Sequence, residues 1–140
     1  LIYLSWGVDF LDYDNDSYLD ILVVNGHIDD NIEGFSEIGT YEQRNQLFKN
    51  RGDGTFEEVG FHSGSGLQLY KVSRGMAHGD LGNDGDLDIV ITNLNQKLDI
   101  LRNDDGNKKN WLAIKCIGRK SNRDAIRHSD WSQNRRDYPN

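Results

Sequence analysis

Two short stretches place carboxylates at alternating positions: Asp12-Tyr13-Asp14-Asn15-Asp16-Ser17-Tyr18-Leu19-Asp20 and Asp80-Leu81-Gly82-Asn83-Asp84-Gly85-Asp86-Leu87-Asp88. In the first, the side chains of Asp12, Asp14, Asp16 and Asp20 and the backbone carbonyl of Tyr18 form a set of hard oxygens. Calcium takes about six to eight such donors at about 2.3–2.6 Å, and a tightly curled loop turns every second side chain inward to supply them. Without a cation, carboxylates this close repel one another. In the second stretch the candidate ligands are Asp80, Asp84, Asp86 and Asp88, and Gly82 leaves one carboxylate short. The sixth position is Gly85 there but Ser17 in the first loop. If a left-handed backbone is required, Ser17 costs about 1–2 kcal/mol. Ligand count ranks the first loop as the tighter site. An EF-hand is excluded, because its twelfth position is a bidentate Glu before a helix, whereas Val23 and Ile91 stand there, inside strand-like runs.

The elements around these loops repeat. WGVDFLDYDNDSYLDILVVN (6–25) aligns with RGMAHGDLGNDGDLDIVITN (74–93), pairing Gly7 with Gly75, Asp12 with Asp80, Asp20 with Asp88 and Asn25 with Asn93. LFKN (47–50) then matches ILRN (100–103), each followed by an Asp-Gly pair. The stretch HIDDNIEGFSEIGTYEQR (27–44) is peculiar to the first repeat and reads as a long surface loop with room for a turn of helix. LDILVVN and LDIVITN are β-branched, apolar runs expected of buried strands. GVDFLDY and GMAHGDL precede the Asp loops, NQLFKN and KLDILRN follow them, and Asp53-Gly54 predicts a hairpin between LFKN and TFEEV. WLAIKCIG (111–118) alternates as a further strand, with Cys116 a small strand residue. HSGSG (62–66) reads as a flexible connection.

Short strands repeating every few tens of residues predict an all-β chain of β-propeller blades. Two repeats leave sheet edges open, and a closed propeller needs at least about four blades. The sequence therefore reads as part of a longer chain, a partial propeller of about two blades whose partners include the remaining blades. The expected divisions are a first repeat at 1–66 with its insertion at 27–44, a second at 67–110, a further module opening at 111–126 and a divergent tail at 127–140.

Composition narrows the function. The formal net charge is −7, with the acids concentrated before residue 108 and the bases after it. An acidic body argues against nucleic acid as a partner. No apolar run reaches the ~20 residues of a membrane helix. His27, His62, His78 and His128 lack zinc spacing; His78 reads as a strand side chain. Ser63 and Ser65 do not form a nucleophile elbow. The acids that could act in glycoside hydrolysis are already committed to the loops, so no catalytic residue is expected. Arg51-Gly52-Asp53 spells an adhesion tripeptide, but its Gly-Asp-Gly context reads as hairpin chemistry.

DYDNDSYLDILVVN and GDLGNDGDLDIVITN resemble the calcium loops of FG-GAP/VCBS repeats, the units of integrin-α-type propellers, and NQLFKNRGDGTFEEV resembles their closing hairpin. NWLAIKCIGRKSNRDAI resembles the opening of the ASPIC/UnbV module found after such repeats, and RHSDWSQNRRDYPN departs from its continuation. The resemblance implies calcium as a structural ion and an interaction role in an extracellular, periplasmic or cell-surface protein, with an unidentified protein or glycan ligand. Two other roles stay open: scaffold within a larger extracytoplasmic enzyme or cofactor-associated protein, and adhesion through the propeller face.

Overall fold

The structure is a computed structural model that describes residues 2–35, 37, 39–104, 106–108, 111, 114 and 117. The expected Cys116 strand, His128 and the tail from 127 lie outside the described residues, as does most of the 111–126 segment.

Among the described residues, nine strands form three antiparallel sheets and no α-helix occurs. β1 (Ser5–Leu11), β2 (Asp20–Asn25), β4 (Gln46–Asn50) and β5 (Phe56–Glu58) make a four-stranded meander in that order. This is one full blade. β7 (Ser73–Gly79), β8 (Asp88–Asn93) and β9 (Asp99–Leu101) repeat its first three strands. β3 (Gln43–Arg44) and β6 (Tyr70–Lys71) form a small ribbon across the repeats. Each Asp loop joins the first two strands of its blade.

The period-two pattern explains the packing. Leu11, Leu22, Val24, Leu47, Leu67, Ile89 and Ile91 form one buried cluster, joined by Tyr13, Val59, Met76, Leu87 and Leu101. Residues from both sheets contribute, so the core is the seam between blades. The alternate residues of the first sheet turn away from it. Val8 pairs with Val23, Phe10 with Ile21 and Ile21 with Phe48. Of these, Val8 and Phe10 remain more than half exposed. Covering a large apolar side chain is worth about 1.5–3 kcal/mol, so this face is suited to a further packed layer.

Repeated sequence gives repeated detail. Both blades bulge early in their first strand, at Ser5/Gly7 and Ser73/Gly75. Beside each bulge a serine hydroxyl donates to an asparagine, Ser5 to Asn25 at 2.7 Å and Ser73 to Asn93 at 2.9 Å. Trp6, at the first bulge, lies 4.5 Å from the Arg74 guanidinium, and both donate to the carbonyl of Gly26, at 2.6 and 3.1 Å.

Two connections differ from expectation. The excursion after β2 carries a 3₁₀ turn at Ile32–Gly34, and its base is closed by His27 N–H donating to Tyr41 O at 2.9 Å. Its last two residues, Gln43 and Arg44, are a buried strand rather than surface loop. Gln43 is wholly buried because its amide serves the backbone, accepting from Leu4 N–H and donating to Ile2 O. Arg44 is paired with Glu58 at 3.1 Å. The HSGSG connection runs into a 3₁₀ turn, Ser65–Gln68, whose Leu67 is buried in the core. An apolar anchor two residues on from polar Ser65 therefore docks a segment whose composition suggested a loose tether.

Candidate metal centre

The first loop is built around Asp12 and Asp20. The Asp12 carboxylate accepts the Asp16 and Ser17 N–H groups at 2.9 and 2.8 Å, curling the chain back on itself. That curl needs left-handed residues, and Asn15 (φ 53°) and Ser17 (φ 74°) supply them. Asp16 accepts the Tyr18 N–H at 2.9 Å. Asp20 is fully buried at the start of β2 and accepts Tyr13 N–H at 3.2 Å and Asn50 N–H at 2.8 Å. Burial pushes the Asp20 carboxyl above its usual range despite these two donors, with the charges of Asp14 and Asp16 adding to the rise. The Tyr18 ring covers the hairpin tip; a Cβ on Gly52 would lie 2.7 Å from it.

Asp12, Asp14 and Asp20 bring one carboxylate oxygen each within 4.8 Å of one another. Oxygens sharing a calcium ion at about 2.3–2.6 Å lie at most about 5 Å apart, so the three carboxylates are within reach of one such ion. The donor chemistry and the spacing therefore fit a calcium ion.

The second loop is wired in the same way. Asp80 accepts the Asp84 and Gly85 N–H groups, each at 3.0 Å. Asp84 accepts Asp86 N–H at 3.3 Å, and Asp88 accepts Leu81 N–H at 3.1 Å and Asn103 N–H at 2.9 Å. Asn83 (φ 52°) and Gly85 (φ 90°) repeat the left-handed pair. Ligand convergence is not repeated: among the described residues, the first loop alone gathers three carboxylates. Gly82 has no side chain to offer. Asp86 is fully buried, and its Oδ1 lies 2.8 Å from where a Cβ on Gly106 would stand, at the seam with the first loop. Trp111 lies against Gly85, where an added Cβ would come within 2.2 Å of the indole.

Spacing alone missed several participants. Asn50 and Asn103 give their backbone N–H groups to the last Asp of each loop from the third strand side. Their equivalence in LFKN and ILRN was a usable signal. Lys49 pairs with Asp14 and, at 3.3 Å, with Asp16. Hydrogen bonding to Asp14 holds its ammonium well above the usual lysine range.

The discounted motifs have structural work. Arg51 pairs with Glu57 at 2.6 Å, Gly52 has φ 75°, and Asp53 accepts from both the N–H and hydroxyl of Thr55. His78 lies in β7 and faces Asp9 of β1 at 3.1 Å, across the blade seam. His27 Nδ1 accepts Asp29 N–H at 3.0 Å, and the His62 ring meets Phe61 edge-on.

Residues 38–91 match the family model for the FG-GAP-like repeat. The match runs from the end of the first-repeat excursion through the hairpin, the second Asp loop and most of β8. The all-β architecture, with its antiparallel sheets, is consistent with FG-GAP β-propeller blades. No curated protein and no solved structure matches the chain.

Proposed function

We propose that this chain is a calcium-braced β-propeller segment with a structural and interaction role. The observation that carries the reading is the convergence of Asp12, Asp14 and Asp20 within 4.8 Å. They sit in a loop whose hydrogen-bond wiring recurs in the second blade. A calcium ion there offsets carboxylate repulsion and ties β1, β2 and β4 together, since Asp20 already accepts from Asn50. Asp12, Asp14, Asp16, Asp20 and the Tyr18 carbonyl are the proposed ligands of the first loop; Asp80, Asp84 and Asp88 are those of the second. Asp86 stands where Tyr18 stands in the first loop, and its backbone carbonyl is proposed as the equivalent ligand.

The apolar face around Val8 and Phe10 is proposed to meet a further blade of the parent chain. Loop sites of this openness fill at the millimolar calcium of extracellular modules, which supports a secreted, periplasmic or cell-surface location and a protein or glycan partner. The segment from 111 is proposed to open an ASPIC/UnbV-like module. We assign no catalytic role.

The test is calcium titration followed by calorimetry and thermal unfolding. Binding to the folded state alone stabilises by about 2.7 kcal/mol at one hundred times Kd. The expected result is a melting temperature that climbs with calcium and flattens in Asp20→Asn. No heat and no shift at several millimolar calcium would sink the reading.

A further inference from the structure

The first Asp loop already holds a cation belonging to the chain. Lys49 reaches from β4 to Asp14 and to Asp16 at 3.3 Å, two of the proposed calcium ligands, and its ammonium lies 5.9 Å from the Tyr13 ring centre. The second blade is an internal control. The residue equivalent to Lys49 is Arg102, which turns outward to Asp104 at 2.6 Å and is three-quarters exposed. The residue equivalent to Asp14 is Gly82. Extra carboxylate and inward cation thus occur together in one loop and are both missing from the other, although backbone wiring is the same in both.

We propose that Lys49 is a resident counter-ion, which offsets part of the first loop's negative charge in the absence of metal and which a divalent cation must displace in order to bind. The proposal rests on reading the loop as a calcium site. The flexible four-carbon stem of lysine lets the ammonium leave for solvent without moving β4. The pair is partly exposed, so its grip is modest, strong enough to weaken calcium binding and too weak to abolish it. Ligand count therefore overstates the advantage of the first loop. With Lys49 present, the loop stays folded when calcium is scarce and releases the ion readily.

Calcium titrations by calorimetry on the full chain, in wild type, Lys49→Met, Lys49→Gln and Arg102→Met, test this. Asp84→Ala is added to each to weaken the second loop. The expected result is binding about five- to tenfold tighter in both Lys49 variants, a lower metal-free melting temperature in both, and no change in Arg102→Met. A Lys49 variant that folds only when calcium is added supports the proposal too. Affinity in both Lys49 variants equal to or weaker than wild type overturns it and leaves the calcium reading standing. Failure of both variants to fold at saturating calcium also overturns it, because the metal should replace the ammonium. A wild type that binds no calcium removes both readings.

Discussion

The side-chain amide of Asn15 donates to the carbonyl oxygen of Gly85 at 3.2 Å, joining the two Asp loops across seventy residues of sequence. The same amide reaches Gly106 O at 2.9 Å, and Asn103 returns a bond from the second blade to Tyr13 O at 2.6 Å. The two loops therefore brace one another.

Asn15→Ala removes both bonds and leaves a β-carbon at a left-handed position. It should cost about 2–3 kcal/mol. Asn15→Gly keeps the backbone comfortable and should cost roughly half as much, the difference separating strain from bridging. Urea unfolding of the two variants measures it. Equal losses would mean that the conformation of Asn15 contributes nothing.

Ser17→Gly should stabilise the chain by about 0.5–1 kcal/mol, because Ser17 sits at φ 74° where glycine is unstrained. The reverse change, Gly85→Ser, meets both the left-handed backbone and the Trp111 ring, and should cost more than Ser17→Gly gains. Melting temperatures of the pair decide this; a destabilised Ser17→Gly would show that the hydroxyl has a role the geometry does not reveal.

Gly82→Asp restores the missing carboxylate of the second loop. A Cβ there stands 3.0 Å from Asp84 Oδ2, so two like charges are pressed together. The variant should melt lower than wild type without metal and show a larger rise on adding calcium. A smaller rise would mean that the second loop cannot use a ligand at that place.

Hydrogen bonds from the Thr55 hydroxyl and N–H hold the Asp53 carboxyl below its usual value of 3.8. The linked stability is present above that unfolded value and is lost as pH falls through the lower folded one. Thr55→Val removes the hydroxyl donor alone, so the Asp53 pKa should rise part of the way back, as followed by carbon-detected NMR titration. An unchanged pKa would assign the whole effect to the backbone donor.

Much of this molecule is legible in its residues, for reasons that can be named. The β-branched, apolar runs LDILVVN and LDIVITN mark β2 and β8, most of whose residues are buried or half-buried. Asp53-Gly54 marks the hairpin because its backbone demands positive φ. Ser17 was recognisable as a poor turn residue from the glycine at Gly85, its counterpart. Other features depend on contacts that spacing cannot encode. Gln43 and Arg44 look like loop residues, being polar; they are buried because Leu4, Ile2 and Glu58, distant in sequence, satisfy them. Asp86 continues the Asp pattern, and its full burial follows from packing beside Gly106, which spacing does not encode. Lys49 carries no motif, and its part shows only when β4 is laid beside the loop.

The His27–Tyr41 bond has a different consequence. It pinches the excursion shut at its base, and Gln43 then fixes the returning chain to Leu4 and Ile2. The pinch sets the excursion apart from the strands it leaves and rejoins, and each doubling of a flexible loop costs only about 0.6 kcal/mol. New residues can be accepted at the tip, or old ones discarded, while the sheet below keeps its register. That makes the excursion the place where a lineage of such chains can try out new surfaces without risking the blade.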